Sequence, residues 1–462
     1  VVQDNRGKIH LGGGTEDQVL YTLNGFTLTD PYTGTLEQRI PVDAIRQVQV
    51  QNSRYAAEFG KSSAGTLSVE SGAGDDRFRY TATNFIPSGQ LSGGLLLSKW
   101  TPRGSVSGPW RRGRAWFFEA LDAQYNLDQV EELPRGANRN ARWAANNLFR
   151  NDFLLGRSTL LNSTLLVNDG QQEHLGLGPR DPLETTTRFR QRHYFLSLKG
   201  QQYREPGVLL ELGLAASRLG ARADPLGAAT YRISPDGQSG NYFEASRSAS
   251  RRWQVTGNVI LPGRALHGRH EWKMGADLTW IGMERRLERR PFEVLRSDGT
   301  LWRRTVFTGP SAYRRGNFEQ SAYLQDRWLL SERVALELGL RQDWNEAVSR
   351  TAWSPRLALA AGLSRHGHTK LTTGWGLFHD TVPLEVLTRG LDQARDEYVF
   401  AEGGALLPEL VPTRFLLPAG GLKLPRTSNF SLGVEQRLPA GFYLRAGYIA
   451  RRTADAFAFL DA

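Results

Sequence analysis

The sequence has no cysteine among its 462 residues, so it forms no disulfide, offers no thiolate to a metal and holds no cysteine nucleophile. It also lacks any run near the roughly 18 consecutive apolar residues that a membrane-spanning helix requires, and its mean hydropathy is -0.44. A helical membrane protein is excluded. A membrane barrel is not, because lumen-facing residues halve the apolar count of each strand. Lysine is scarce: seven lysines stand against 51 arginines, and the formal net charge is +11. Such a bias suits phosphate, which Arg grips bidentately, and it suits an Arg-favouring codon composition as well. Residue 1 is Val, with no charged and apolar leader after it, so the expectation is a chain whose signal peptide is absent or that begins mid-protein.

Sites for chemistry are equally sparse. Eight histidines are scattered. His366 and His368 would share a strand face as a weak metal pair, but no third ligand lies near, and a solvated turn suits them and the pair His267 and His270 better. Gly60-Lys61-Ser62 mimics the tail of a phosphate loop, yet the Gly required five residues earlier is Tyr55, which leaves a tight turn between strands. The carboxylates Glu211, Asp277, Glu337 and Asp343 read as solvated charges beside Lys273, Arg341 and Arg445 rather than as acid-base pairs. Neither an enzyme nor a bound cofactor is expected. Nucleic acid is not expected either, because the arginines concentrate in loops and strand ends and form no basic stripe with stacking aromatics.

What the sequence has in abundance is alternation. In "EWKMGADLTW", residues 271 to 280, Trp272, Met274, Ala276, Leu278 and Trp280 alternate with Glu271, Lys273, Gly275, Asp277 and Thr279. A period of two means a strand with unlike surroundings on its two faces. The same pattern recurs at 208 to 214, 334 to 341 and 442 to 448. Tight links near 112–113, 156–157, 206–207, 262–267, 331–332, 365–367 and 439–441 alternate with long polar segments near 127–140, 169–187, 217–248, 282–316, 344–352 and 380–426. Short turns at one end and long loops at the other are the habit of outer-membrane barrels. Trp116, Trp253, Trp272, Trp280, Trp328 and Trp375 lie in or near strand ends, where amphipathic rings meet a membrane surface. The expected fold is all-β: about 15 antiparallel transmembrane strands over 76–462, with Trp272, Met274, Ala276, Leu278 and Trp280 facing lipid.

Residues 1–75 differ. "VLYTLNGFTLTD" sets two alternating runs about Asn24-Gly25, a strong hairpin signal, and "AIRQVQV" follows after a Gly- and Pro-punctuated loop. "LNGF" followed by "IPVDAIRQVQVQNSRYAAEFGKSSAGTLSVESG" resembles the plug of TonB-dependent outer-membrane receptors. "SVSGPW", "SAYLQDRWLLSERVALELGLRQDW", "SPRLALA" and "NFSLGVEQRL" are similar to that family's barrel strands, with the Oar-like branch nearest. The resemblance implies a plug domain (1–75, partial) inside a barrel (76–462) that lacks both ends of about 22 strands. It implies energy-coupled uptake of a scarce nutrient: siderophore, corrinoid, saccharide or peptide. The partners it implies are outer-membrane lipid and lipopolysaccharide, and the TonB complex through a segment not present in this sequence; a monomer is expected. Arg46, Gln47 and Gln49 stand where many receptors carry the Glu and Arg of a plug-to-barrel ion network. A passive porin or adhesion scaffold is the rival reading, and it would lack the domain at 19–72.

Four expectations follow. Val48 and Val50 should pack within the plug, and Gly213, Gly275, Gly339 and Gly374 should let it approach the wall. Arg285, Arg286, Arg289 and Arg290 should sit in an outer loop, facing lipopolysaccharide phosphates, an anionic ligand or water. The loop Asp30 to Thr35 and the segment 380–426 should meet the ligand, through Asp30, Tyr32, Thr33, Tyr398 and Phe400.

Overall fold

The computed structural model describes residues 2–3, 9–52, 56–91, 95–364, 367–417 and 421–457. His366 and Tyr55 lie outside the described residues. One sheet of 18 strands dominates. Its stub Arg264–Ala265 is two residues long. Two of its passes are each broken in two, Arg79–Thr83 from Ser88–Leu91 and Leu95–Trp100 from Arg103–Arg111. Fifteen passes remain, as the alternation predicts. From Arg103–Arg111 to Tyr443–Ala454 each pass pairs antiparallel with the next. The first and last strands are largely exposed, and no register joins them among the described residues. The sheet is an unclosed barrel wall.

Along Arg269–Arg289 the facing is as expected. Met274, Leu278 and Trp280 are exposed on the outside, while Lys273 and Asp277 face inward to Glu58 and Lys61. Trp272 and Trp280 lie eight residues apart, about 26 Å along the strand at 3.3 Å per residue. Tilted by about 40°, that spans roughly 20 Å, which suits an apolar band between two aromatic girdles. Trp272 and Trp328 stack on His270 at the short-turn end, and Trp280 pairs with Trp253 and Phe318 toward the other. No helix among the described residues is long and apolar enough to cross a membrane.

A four-stranded sheet forms from the first 75 residues, in the order Phe26–Thr27, Val19–Leu23, Gly65–Ser71, Ile45–Gln51. The Asn24-Gly25 turn has positive φ at both residues, 52° and 90°, as a two-residue hairpin of the mirror-image type requires. Its core is shared with the wall. Leu11, Val19, Leu23, Phe26 and Val69 pack on Phe118, Leu148, Leu166, Phe195 and Ala215, which point inward from five neighbouring passes. The sharing overturns one expectation: Val48 and Val50 are 49% and 40% exposed. Ile45–Gln51 is the edge strand, paired among the described residues only with Gly65–Ser71, and the apolar layer lies between the sheet and the wall rather than under this edge.

The long loops depart most from the sequence reading. Strands run through to Arg289 and restart at Ala312, so Arg285, Arg286 and Arg289 are strand residues. The segment near 344–352 is a four-residue turn between Asn345 and Arg350. The loops after Pro225, Arg289 and His379 join in a six-stranded sheet of their own, ordered Gly237–Ser239, Tyr231–Ser234, Phe292–Leu295, Leu301–Thr308, Ala394–Phe400, Leu406–Thr413. Tyr231, Tyr242, Phe243, Phe292 and Phe307 form its aromatic centre, with Phe243 stacked on Phe307 at 5.6 Å. Charge ties it together through Arg303 to Glu397 at 2.6 Å and Arg304 to Glu293 at 2.7 Å.

Candidate functional site

The small domain meets the wall in two unlike ways. Toward the passes between Ala115 and Pro225 the contact is chiefly the shared apolar core, with hydrogen bonds at its margin from Asn24 to Thr164, from the Arg39 amide to Asn168 and from Arg150 to Ser71. Toward the passes from Arg269 to Gly362 it is mostly polar, carried by the stretch Ala56 to Lys61 and, at the long-loop end, joined by Tyr32, which meets Arg285 and packs beside Ile281 and Met283. Lys61, at φ 59°, reaches Asp277 at 2.8 Å and Glu319 at 3.0 Å, and Glu58 pairs with Lys273. Arg341 is held by Asp343 through Nε at 2.9 Å and donates from Nη1 to the Glu58 carbonyl at 3.1 Å. Arg356 donates to the Ala56 carbonyl. A Cβ on Gly60 would run into the Arg341 side chain, so a larger residue there would displace the guanidinium that Asp343 holds.

These groups correct the reading of the strand carboxylates as solvated for Glu211, Asp277 and Asp343, while Glu337 is exposed as expected. Asp277 and Asp343 are paired and largely buried, and Glu211 accepts from Lys199 at 3.1 Å, because the small domain fills the space that water would occupy. The turn at Gly60-Lys61-Ser62 therefore does more than reverse the chain. The signal available was Lys61 itself, one of only seven lysines. Unpaired lumen charges would cost several kcal/mol each, a cost that the pairing of Lys61 with Asp277 and Glu319, of Lys273 with Glu58 and of Arg341 with Asp343 offsets.

The wall glycines are split. A Cβ at Gly213 would meet Phe26, and one at Gly339 would meet Ala57 at 2.9 Å, so both allow the close approach expected. Gly275 faces Asn258 and Tyr323 of the wall instead. A polar cavity of about 310 Å³ remains between the small sheet and the wall, bordered by Gln49, Glu58, Lys61, Glu211, Lys273 and Tyr323.

At the long-loop end, Asp30 organises its own loop. Its carboxylate accepts from the Tyr32 amide at 3.1 Å, from the Thr33 hydroxyl at 3.3 Å and from the Ser250 hydroxyl of the wall. The loop is docked on the helix Leu384–Thr388: the Leu384 amide donates to the Pro31 carbonyl at 2.9 Å and the Glu385 amide to the Tyr32 carbonyl at 3.0 Å. Arg285 Nη1 donates to the Tyr32 hydroxyl at 2.9 Å. Burial pushes that phenol up to about 12 despite the guanidinium beside it, so it stays protonated. The Asp30 to Thr35 loop and the segment after His379 thus meet, though through a helix that the sequence reading missed. Tyr398 and Phe400 stand elsewhere, in the loop sheet opposite Arg304 and Leu406. Among the described residues no group of three His, Asp or Glu side chains is placed to hold a metal.

No protein-family model and no curated protein matches the chain. Solved structures do. The outer-membrane transporter YddB from Escherichia coli superposes with a TM-score of 0.72 at 14% identity over 96% of this chain and 63% of that one. The siderophore receptor PirA from Acinetobacter baumannii gives 0.69 at 13% identity over 98% and 65%. The ferric enterobactin receptor PfeA from Pseudomonas aeruginosa gives 0.62 at 16% identity over 96% and 64%. The fold is that of bacterial outer-membrane transporters. The chain spans just under two thirds of the length of the first two of these.

Proposed function

We propose that the chain is part of a TonB-dependent receptor of the bacterial outer membrane, of the Oar-like branch, and that residues 1–75 are its plug. In this reading the wall spans the membrane with its long loops outward, and the receptor imports a small scarce nutrient without making or breaking a bond. The observation that carries it is the two-sided seating of the small domain. A passive pore gains nothing from a separately folded sheet inside its wall, whereas a gated importer needs one that stays put yet can be displaced. The Ala56 to Lys61 contacts suit displacement, because hydrated polar surfaces left behind are less costly than exposed apolar ones. The ligand would be met by Asp30, Tyr32 and Thr33 at the small domain's outer loop and by the loop sheet bearing Tyr398 and Phe400. A siderophore receptor and a ferric enterobactin receptor are among the structural neighbours, which makes a chelated metal the first ligand to try.

The test is uptake by the full-length receptor in cells that lack competing receptors, with and without a functional TonB complex. Uptake that persists unchanged without TonB points to the passive pore. In the same assay Tyr32→Ala should weaken ligand binding at least tenfold while leaving barrel assembly intact. Unchanged affinity in Tyr32→Ala, and in a deletion within 390–415, would remove these residues from the ligand site.

A further inference from the structure

The helix Leu384–Thr388 has no cap of its own. Its N-cap residue is Pro383, which offers no side-chain acceptor, yet the first amides of a helix must be met by some oxygen. Two of the first three go to the small domain: Leu384 donates to the Pro31 carbonyl and Glu385 to the Tyr32 carbonyl, while Val386 turns back to Pro383. Five residues are too few to hold a helix in water unaided. Its fold depends on what it leans on.

The small domain also grips the approach to the helix. Asp380 accepts from Ser63 at 2.7 Å and from Gln18 at 3.3 Å. Gly34, at φ 77°, lies so close to Pro383 that a Cβ there would meet the ring at 3.2 Å. Val382, Leu384 and Leu387 are buried in one cluster with Ile281, Met283 and Val348, and Tyr32 packs against it. Withdrawal of the Asp30 to Thr35 loop would strip the helix of two caps and of part of its apolar support at once.

Beyond the helix the chain enters the loop sheet. Asp392 rests on Arg289 at 2.8 Å, and Ala394 to Val399 are registered against Thr308 to Arg303. Arg289 also holds Glu244 at 2.7 Å, so it keeps a partner if Asp392 moves. The stretch from Asp380 to Asp392 thus links the wall pass Thr369–His379 to the sheet's outer strands, Ala394–Phe400 and Leu406–Thr413. A helical residue advances about 1.5 Å and an extended one about 3.3 Å, so unwinding the helix would lengthen this link by about 9 Å.

We propose that residues 380–392 are a strap whose helix is folded by the seated Asp30 to Thr35 loop, and that the strap couples the position of the small domain to that of the loop sheet. Seated, the loop keeps the strap short and the two outer strands drawn toward the wall. Displaced, it releases them. The coupling is reciprocal, because a helix that both neighbours bias transmits in either direction. Lifting the outer strands would loosen the loop, just as removing the loop frees the strands. The use of the strap in transport rests on the reading of residues 1–75 as a movable plug. The coupling itself does not.

Hydrogen exchange in the full chain in nanodiscs reads the helix and the sheet separately. Replacing Pro31 to Gly34 by the dipeptide Asn-Gly leaves Asp30 and Thr35 to pair across a two-residue turn and removes both capping carbonyls. Exchange should quicken about tenfold or more across Leu384–Thr388 and also across Ala394–Phe400, with Thr369–His379 unchanged. Adding Pro383→Asp gives the helix a side-chain cap and should return both stretches to wild-type rates. Spin labels on Glu402→Cys and Arg135→Cys, two exposed loop residues in a chain without native cysteine, should report one narrow distance with the loop intact. With the loop shortened the spread should widen by up to about 9 Å. Heat-dependent gel migration checks that each variant is folded. Faster exchange confined to Leu384 and Glu385, no rescue by Pro383→Asp, or an unchanged distance would overturn the proposal. Uptake that persists without TonB would remove the plug reading and leave the strap, whereas unchanged exchange at Ala394–Phe400 would remove the strap and leave the plug reading.

Discussion

Asp380 uses one carboxylate oxygen twice and the other not at all. Oδ2 accepts from the Ser63 hydroxyl at 2.7 Å and from Gln18 at 3.3 Å, while Oδ1 is buried without a partner. Burial, aided by Asp17, pushes this carboxyl up to about 7, against the hydrogen bond from Ser63 and the charge of Arg451. The native state therefore holds a proton that the unfolded chain gives up near pH 4. The sign follows: the stability tied to this proton is fully present below about pH 4 and is lost as pH rises through about 7. Asp380→Asn mimics the protonated form at every pH. Thermal unfolding of the two proteins from pH 4 to 8 should show the wild type falling behind Asp380→Asn as pH rises. Parallel curves would mean that Asp380 is ionised throughout. Because Ser63 and Gln18 belong to the small domain, the same proton tunes how firmly that domain is held.

At the scale of the element, each strand carries two addresses, and substitutions should follow the face rather than the residue type. Ala276 lies midway between the Trp272 and Trp280 girdles on the outer face, so Ala276→Arg should cost about 2 to 4 kcal/mol in equilibrium unfolding from lipid. Leu278→Arg, two residues nearer a girdle, should cost less, and equal costs would remove the girdle assignment. The strands were legible because a period of two survives any loop chemistry, and fifteen passes with their facing came from it. The loop sheet was not. "FEVL" and "LWRRTVFT" do alternate, but they pair across three separate loops, and nothing local says that Phe292–Leu295 will lie parallel to Tyr231–Ser234. The inward apolar residues Phe118, Leu148, Leu166 and Phe195 were hidden for a related reason: their partner is a domain more than 40 residues away in sequence. Of the candidate site, the Asp30 to Thr35 loop was visible from its turn chemistry, and its docking on Leu384–Thr388 was not.

The molecule as a whole is a sheet wrapped on a smaller sheet, greased on one side and charged on the other. That asymmetry predicts which side lets go. The contacts on Phe118, Leu148, Leu166 and Phe195 keep an apolar core together, and opening them would expose it. The Ala56 to Lys61 stretch can part from Lys273, Asp277, Glu319 and Arg341 with each charge returning to water, so a passage should open there, beside the existing polar cavity. A covalent tether tests this. A Cβ on Gly339 would stand 2.9 Å from that of Ala57, inside the roughly 3.8 Å of a disulfide, so the wall need yield by less than an ångström. No native cysteine in these 462 residues competes. On the proposed importer reading, oxidised Ala57→Cys/Gly339→Cys in the full-length protein should assemble normally and bind ligand but stop uptake, and a reductant should restore it. A second tether on the apolar side, Phe26→Cys with Gly213→Cys joined by a short bifunctional thiol reagent because Gly213 meets the tip of the Phe26 ring rather than its Cβ, should leave uptake largely intact. If the apolar tether blocks transport and the Ala57 tether does not, the domain swings the other way, about the charged contacts.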